Sequence, residues 1–323
     1  SLEMYRIPRV VILATFFLTT LSSQVLAASA GQKCAKAGTK SFFLANGQKR
    51  NLVCTKVGKV LKWKPANTPV ATAPAAITLT VSDEVDASDS TLHHISVNGG
   101  QKRDYLINVP NSYSNNLAVP LMIALHGRSW TAAGFRDLSQ INLLSNANNF
   151  IVAYPDGLQN SWNAGNCCSL IGADDVTLIS GMIDSISSKY NIDKTRVWAL
   201  GWSNGGMMAY RLACELSEKV TAIAIGGAVF AADSCKPAKP VSVFAIHGTD
   251  DQTLPIEGYV VGPPPLKSAE KYAGYAGCTS SNATSWSCPN GSKIQVKIEN
   301  GVGHYSQSWW NELTNFLLAH PRS

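Results

Sequence analysis

Gly201-Trp202-Ser203-Asn204-Gly205 sets a serine between two glycines at the spacing G-x-S-x-G. The apolar run 197–200 precedes it, and the helix-compatible stretch 206–212 follows it. A serine on so sharp a strand-to-helix turn needs small neighbours, and its hydroxyl projects beyond the sheet. That hydroxyl becomes a nucleophile only if a base takes its proton, so a carboxylate and a histidine are expected after later strands. Two apolar runs end suitably. Residues 241–246 lead into His247-Gly248-Thr249-Asp250-Asp251, and residues 293–298 lead into Glu299-Asn300-Gly301-Val302-Gly303-His304. Ser203, Asp251 and His304 thereby fall in order at strand ends, with Asp250 competing for the acid position on spacing alone. Gly301 and Gly303 let the last loop curl His304 toward the serine. His247, inside a strand end, is expected to be packed or hydrogen-bonded structurally, as are His93, His94 and His320. Leu125-His126-Gly127-Arg128 ends an earlier strand, where a turn can aim the Arg128 amide at a substrate oxygen, with the Asn204 amide as second donor. Together these groups describe acyl transfer through a covalent acyl-enzyme, which needs no metal or organic cofactor.

Those residues must be held by a frame, and the frame is legible as alternation. The runs 121–125, 150–153, 197–200, 221–225 and 241–246 are continuously apolar, as expected of strands buried on both faces of a mostly parallel sheet. Asp174 or Asp175 can cap a helix in which Ile179, Ile183 and Ile186 recur at helical spacing, ending near Tyr190. Further helices follow Asn204 and Pro265. Strands alternating with helices imply a three-layer α/β domain over residues 77–323.

The remainder is organised differently. Of 323 residues, 45% are hydrophobic and 15% charged, enough for a large core and unlike a disordered chain. The net charge of +6 is local: residues 31–76 carry nine Lys/Arg and no acid, whereas residues from 77 onward carry 16 basic against 20 acidic side chains. That distribution argues against nucleic acid as a partner of the large domain. Residues 1–30 read as a signal peptide, with Arg6 and Arg9 before an apolar stretch too short for a stable membrane anchor, then small residues at Ala27, Ala28 and Ala30. Residues 31–64, with Phe42-Phe43, a turn at Asn46-Gly47 and Trp63, read as a small basic β module stapled by Cys34 and Cys54. Residues 65–76 read as a Pro/Ala/Thr-rich linker. Eight cysteines suit an oxidising compartment and hence an extracellular protein; Cys278 with Cys288 closes a short loop, and Cys167, Cys168, Cys214 and Cys235 allow three connectivities. Their spacing, without C-x-x-C, argues against zinc.

The segments PLMIALHGRSWTAAGF, FIVAYPDGL, SWNAGNCC, ADDV, ALGWSNGGMMAYRLACEL, FAIHGTDD and GVGHYS, in that order over residues 90–320, resemble the polyhydroxybutyrate depolymerase and feruloyl or acetylxylan esterase group of secreted α/β-hydrolases. The resemblance implies the α/β-hydrolase fold, Ser203 as nucleophile, Asp251 as acid and His304 as base. It also implies that Trp162 and Asn163 lie near the substrate cleft, where Trp202 and Tyr305 are further candidates for substrate contact. Arg128 and Tyr305-Ser306-Gln307 depart from the group's pattern where the acyl or alcohol part would sit, so the resemblance does not carry the identity of the ester. Trp130, Trp309 and Trp310, with Trp162 and Trp202, either line an aromatic or polymer-binding cleft or pack in core and rim. The rival to an esterase acting on a polyester or a feruloylated or acetylated polysaccharide is a surface-binding protein. In that reading the basic module grips an anionic wall polymer or polymer surface and the hydrolase domain is degenerate; intact Ser203, Asp251 and His304 argue against it.

Overall fold

The computed structural model describes residues 40–45, 48–57, 60–65, 81–84, 90–97, 101–168 and 172–321. The leader expected over 1–30, Cys34, the turn Asn46-Gly47 and the linker from residue 66 onward lie outside them. Strands β1 (Lys40–Ala45), β2 (Gln48–Val57) and β3 (Val60–Pro65) form a three-stranded sheet in that order. β2 and β3 are antiparallel, with Cys54 opposite Trp63. Cys54 is buried and disulfide-bonded.

The second sheet has eleven strands. In chain order they are β4 (Val81–Glu84), β5 (Thr91–Val97), β6 (Gln101–Asn108), β7 (Val119–Leu125), β8 (Ile151–Pro155), β9 (Ile192–Trp202), β10 (Ala222–Gly226), β11 (Ser242–Gly248), β12 (Thr279–Asn282), β13 (Ser285–Ser287) and β14 (Lys293–Glu299). Its centre, β8-β7-β9-β10-β11-β14, is parallel throughout. Antiparallel strands flank both sides, β6-β5-β4 beyond β8 and β13-β12 beyond β14.

Period-two alternation divides the central strands between two cores. Leu121, Ile123 and Leu125 of β7 point into one, while Met122 and Ala124 point into the other; Val197 and Ala199 of β9 oppose Trp198 and Leu200 in the same way. Helices α3 (Asp175–Lys189), α4 (Asn204–Glu215) and α5 (Pro265–Tyr275) close the first core. Helices α1 (Ala132–Ser139), α2 (Ile141–Asn148) and α6 (Trp309–Ala319) close the second. The result is the three-layer α/β-hydrolase architecture. Among the described residues no helix is long and apolar enough to cross a membrane.

Of the two candidate caps of α3, Asp174 is the one used: its side chain accepts the Thr177 amide at 3.1 Å. Asp175, the first helical residue, turns inward onto Arg103 instead, at 2.9 Å with both side chains buried. The disulfides Cys278–Cys288, Cys214–Cys235 and Cys167–Cys168 resolve the connectivities left open by the sequence.

Candidate active site

Strand β9 ends at Trp202 and helix α4 begins at Asn204, so Ser203 alone makes the turn. Its φ of 54° and ψ of −123° lie where a side chain is strained. The turn closes because two glycines permit contact of bare backbones. A Cβ on Gly201 would stand 2.2 Å from Gly205 O, and one on Gly205 would stand 2.2 Å from Leu125 O. The Ser203 amide donates to Gly226 O at 2.9 Å, anchoring the turn to β10.

The loop after β14 brings His304 over this serine. His304 Nε2 lies 2.8 Å from Ser203 Oγ, and its Nδ1 lies 2.7 Å from Asp251 Oδ2. Asp251 is buried in the loop after β11; its Oδ1 accepts the amides of Thr253 and Leu254, both at 2.8 Å. Burial alone would raise the Asp251 carboxyl, but hydrogen bonds from His247, His304 and the Leu254 amide outweigh it and hold the group well below the usual carboxylate range. Asp250 instead accepts the Thr249 hydroxyl at 2.8 Å on the exposed side. The sequence assigned His247 no part in the site, yet its Nε2 stands 3.2 Å from Asp251 Oδ2 and donates to Leu254 O at 2.8 Å. A four-residue offset between His247 and Asp251 across a loop gives no such signal by itself.

The turn after β7 faces the same serine. A Cβ built on Gly127 would stand 3.5 Å from Ser203 Cβ. Among the described residues no acceptor meets the Arg128 amide, and the Asn204 amide, first of α4, has no intrahelical acceptor. His126 fixes the turn from beneath. Its Nε2 accepts the Gly157 amide at 2.9 Å, so the proton sits on Nδ1, which donates to Gly127 O at 2.8 Å. Burial lowers the His126 pKa and keeps the ring neutral, against the raising effect of the Gly127 carbonyl.

The expected substrate contacts divide. Trp202 packs 5.5 Å from the His304 ring, with Tyr305 at 5.9 Å and the partly exposed Trp130 edge-on at 5.5 Å. The Trp202 indole N–H also donates to His304 O at 2.9 Å, so the residue before Ser203 latches the main chain of the histidine. Trp162 is a correction: it is fully buried and cannot touch a substrate in the cleft. Asn163 is likewise engaged inside the protein, its amide on Asp175 Oδ2 at 2.7 Å and its side-chain amide on Ala173 O at 2.9 Å. The pairing of Arg103 with Asp175 thus supports this loop, a role no local pattern announced. Trp309 and Trp310 belong to the core of α6. Among the described residues no group of three or more His, Cys, Asp or Glu side chains could hold a metal ion.

Comparison with known proteins gives concordant likenesses. The family model described as esterase PHB depolymerase matches residues 104–249, a span that holds Ser203 and both amide-bearing turns but stops short of Asp251 and His304. The chain is 29% identical over 246 residues to feruloyl esterase B of Piromyces equi, covering 67% of this chain and 46% of that protein. It is 28% identical over 214 residues to a probable feruloyl esterase C of Aspergillus terreus, covering 63% of this chain and 72% of the relative. The chain therefore spans about half the length of the Piromyces relative. The acetyl xylan esterase of Aspergillus awamori shares the fold with a TM-score of 0.52 at 17% identity, covering 74% of this chain and 98% of that one.

Proposed function

We infer that this chain, which groups with the polyhydroxybutyrate-depolymerase and feruloyl-esterase sequences, is a carboxylic ester hydrolase that works through Ser203, His304 and Asp251. The observation that carries the reading is the continuous line of hydrogen bonds from Ser203 Oγ through both nitrogens of His304 to buried Asp251. Ser203 Oγ attacks the ester carbonyl as His304 Nε2 takes its proton. The oxygen that becomes negative is received by the Arg128 and Asn204 amides. His304 returns the proton to the leaving alcohol, and the acyl-serine is then hydrolysed by water activated at the same nitrogen. Asp251 keeps the Nδ1–H tautomer and stabilises the imidazolium while it exists. The chemistry so written calls for no metal or organic cofactor.

The acyl or alcohol part would meet Trp130, Trp202 and Tyr305 beside His304, which suits an apolar or aromatic surface. Feruloyl or acetyl esters of a polysaccharide are the substrates we propose, with an aliphatic polyester as the competing ester. Release of ferulate, acetate and 3-hydroxybutyrate from the three materials ranks them. Secretion is proposed from the leader-like residues 1–30, and the disulfides Cys167–Cys168, Cys214–Cys235 and Cys278–Cys288 support it. The N-terminal module over 31–64 and linker over 65–76 are proposed as an accessory to a catalytic domain over 77–323. Deleting 31–76 should leave turnover of a soluble ester intact. Ser203→Ala should abolish hydrolysis of p-nitrophenyl butyrate by several orders of magnitude; wild-type turnover in that variant would refute the assignment.

A further inference from the structure

The burial of Trp162 gives it a different place in the chemistry from the one its sequence motif suggested. Its main chain pairs with the side chain of Asn204 in both directions: the Trp162 amide donates to Asn204 Oδ1 at 2.7 Å, and Asn204 Nδ2 donates to Trp162 O at 3.0 Å. Asn204 is itself buried, so this two-point pairing fixes the first residue of α4, and with it the direction of that residue's amide. On its other side, the Trp162 indole N–H donates to His126 O at 2.9 Å. The His126 ring in turn holds Gly127 O. That carbonyl belongs to the peptide unit whose N–H is the amide of Arg128. In a trans peptide the C=O and N–H point in opposite directions, so fastening the carbonyl aims the amide.

We propose that Trp162 is a positioning residue that fixes the two oxyanion-receiving amides relative to each other, tying the turn after β7 to the start of α4. The proposal rests on the esterase reading above, with the Arg128 and Asn204 amides as the receiving pair. These amides come from elements distant in sequence, and bare backbone contact between Gly205 and the carbonyls of Leu125 and His126 leaves their angular setting to side chains. Trp162 reaches both elements. A hole for a developing oxyanion discriminates over a few tenths of an ångström, and a misplacement of about 1 Å costs on the order of 100-fold in rate.

The test compares two Trp→Phe changes. Trp162→Phe removes the indole N–H while leaving the main-chain pairing with Asn204. Trp198→Phe is the reference, since Trp198 is fully buried and its indole nitrogen has no hydrogen-bond partner; it carries the packing loss alone. Trp162→Phe should lower kcat on p-nitrophenyl acetate by about 10- to 100-fold with KM within about threefold. It should weaken inhibition by an aryl trifluoromethyl ketone, whose adduct with Ser203 bears an oxyanion, by a similar factor. Trp198→Phe should lower thermal stability without either kinetic change. Asn204→Ser, which keeps the amide and loses the pairing, serves as an independent second variant and should reproduce the drop in kcat and the weaker inhibition. Trp162→Phe matching Trp198→Phe in kcat and inhibition, or Asn204→Ser keeping wild-type values, overturns the proposal while an inactive Ser203→Ala leaves the esterase reading standing. An active Ser203→Ala overturns that reading instead.

Discussion

Adding one methyl group at Gly205 should separate folding from catalysis. The new Cβ would stand 2.2 Å from Leu125 O and 2.6 Å from His126 O, where ordinary contact begins at 3.4 Å. The opposing atoms are backbone of a central strand, which cannot rotate aside, so α4 and β7 must part by roughly 1 Å. Overpacking of that kind costs about 1–3 kcal/mol, and at this fully backbone contact the upper end is expected. The kinetic cost should be larger in proportion, because the same displacement moves Ser203 and the Asn204 amide away from the turn at Arg128. Misplacement by about 1 Å corresponds to on the order of 100-fold in kcat/KM. Gly205→Ala should therefore remain folded, unfold at lower urea concentration, and hydrolyse p-nitrophenyl acetate about 100-fold less efficiently. A folded variant with unchanged kcat/KM would show that the elbow does not need this close approach.

Two further outcomes follow from buried titratable groups. His126 is held neutral, its folded-state pKa below the ordinary 6.5, so the unfolded chain takes up a proton first as the solution is acidified. The stability associated with the neutral ring is complete above about pH 6.5 and is lost as pH falls through the lowered folded value. Urea midpoints measured between pH 7 and pH 5 should decline, and His126→Gln should remove part of that slope; an unchanged slope would refute the assignment. Asp175→Ala strands the Arg103 guanidinium in the core and releases the Asn163 amide. It should cost about 3–5 kcal/mol in chemical denaturation, as for a buried pair broken from one side.

The parts legible in the sequence are those with a strict local requirement. The glycines at 201 and 205 are forced by backbone contact, and the apolar runs of β7 to β11 are forced by burial on two faces. Helix α6 also had its signal, with Trp309, Trp310, Leu313, Phe316 and Leu317 on helical spacing, but Trp309 and Trp310 were open to reading as cleft aromatics. Strands β5 and β6 carry His93 and His94, expected to be structural and found buried, and Arg103, whose burial no local pattern announced because its partners, the Asp175 carboxylate and the Asp156 carbonyl, come from distant segments. The same reason hid His247 and misplaced Trp162. A local pattern shows that an aromatic ring or an imidazole sits at a strand end or in a loop, but its role is set by what another element brings to it.

The latch between the Trp202 indole and the His304 carbonyl has an evolutionary consequence. The stretch 300–308 is long, irregular and forms one wall beside the serine, which makes it the natural place for new specificities to arise. Because Trp202 grips that stretch at His304 itself, the exposed positions that follow, Gln307 and Ser308, can be exchanged without moving His304 away from Ser203. Selection can then remodel the wall in small steps, each intermediate still keeping the hydrogen bond between His304 and Ser203.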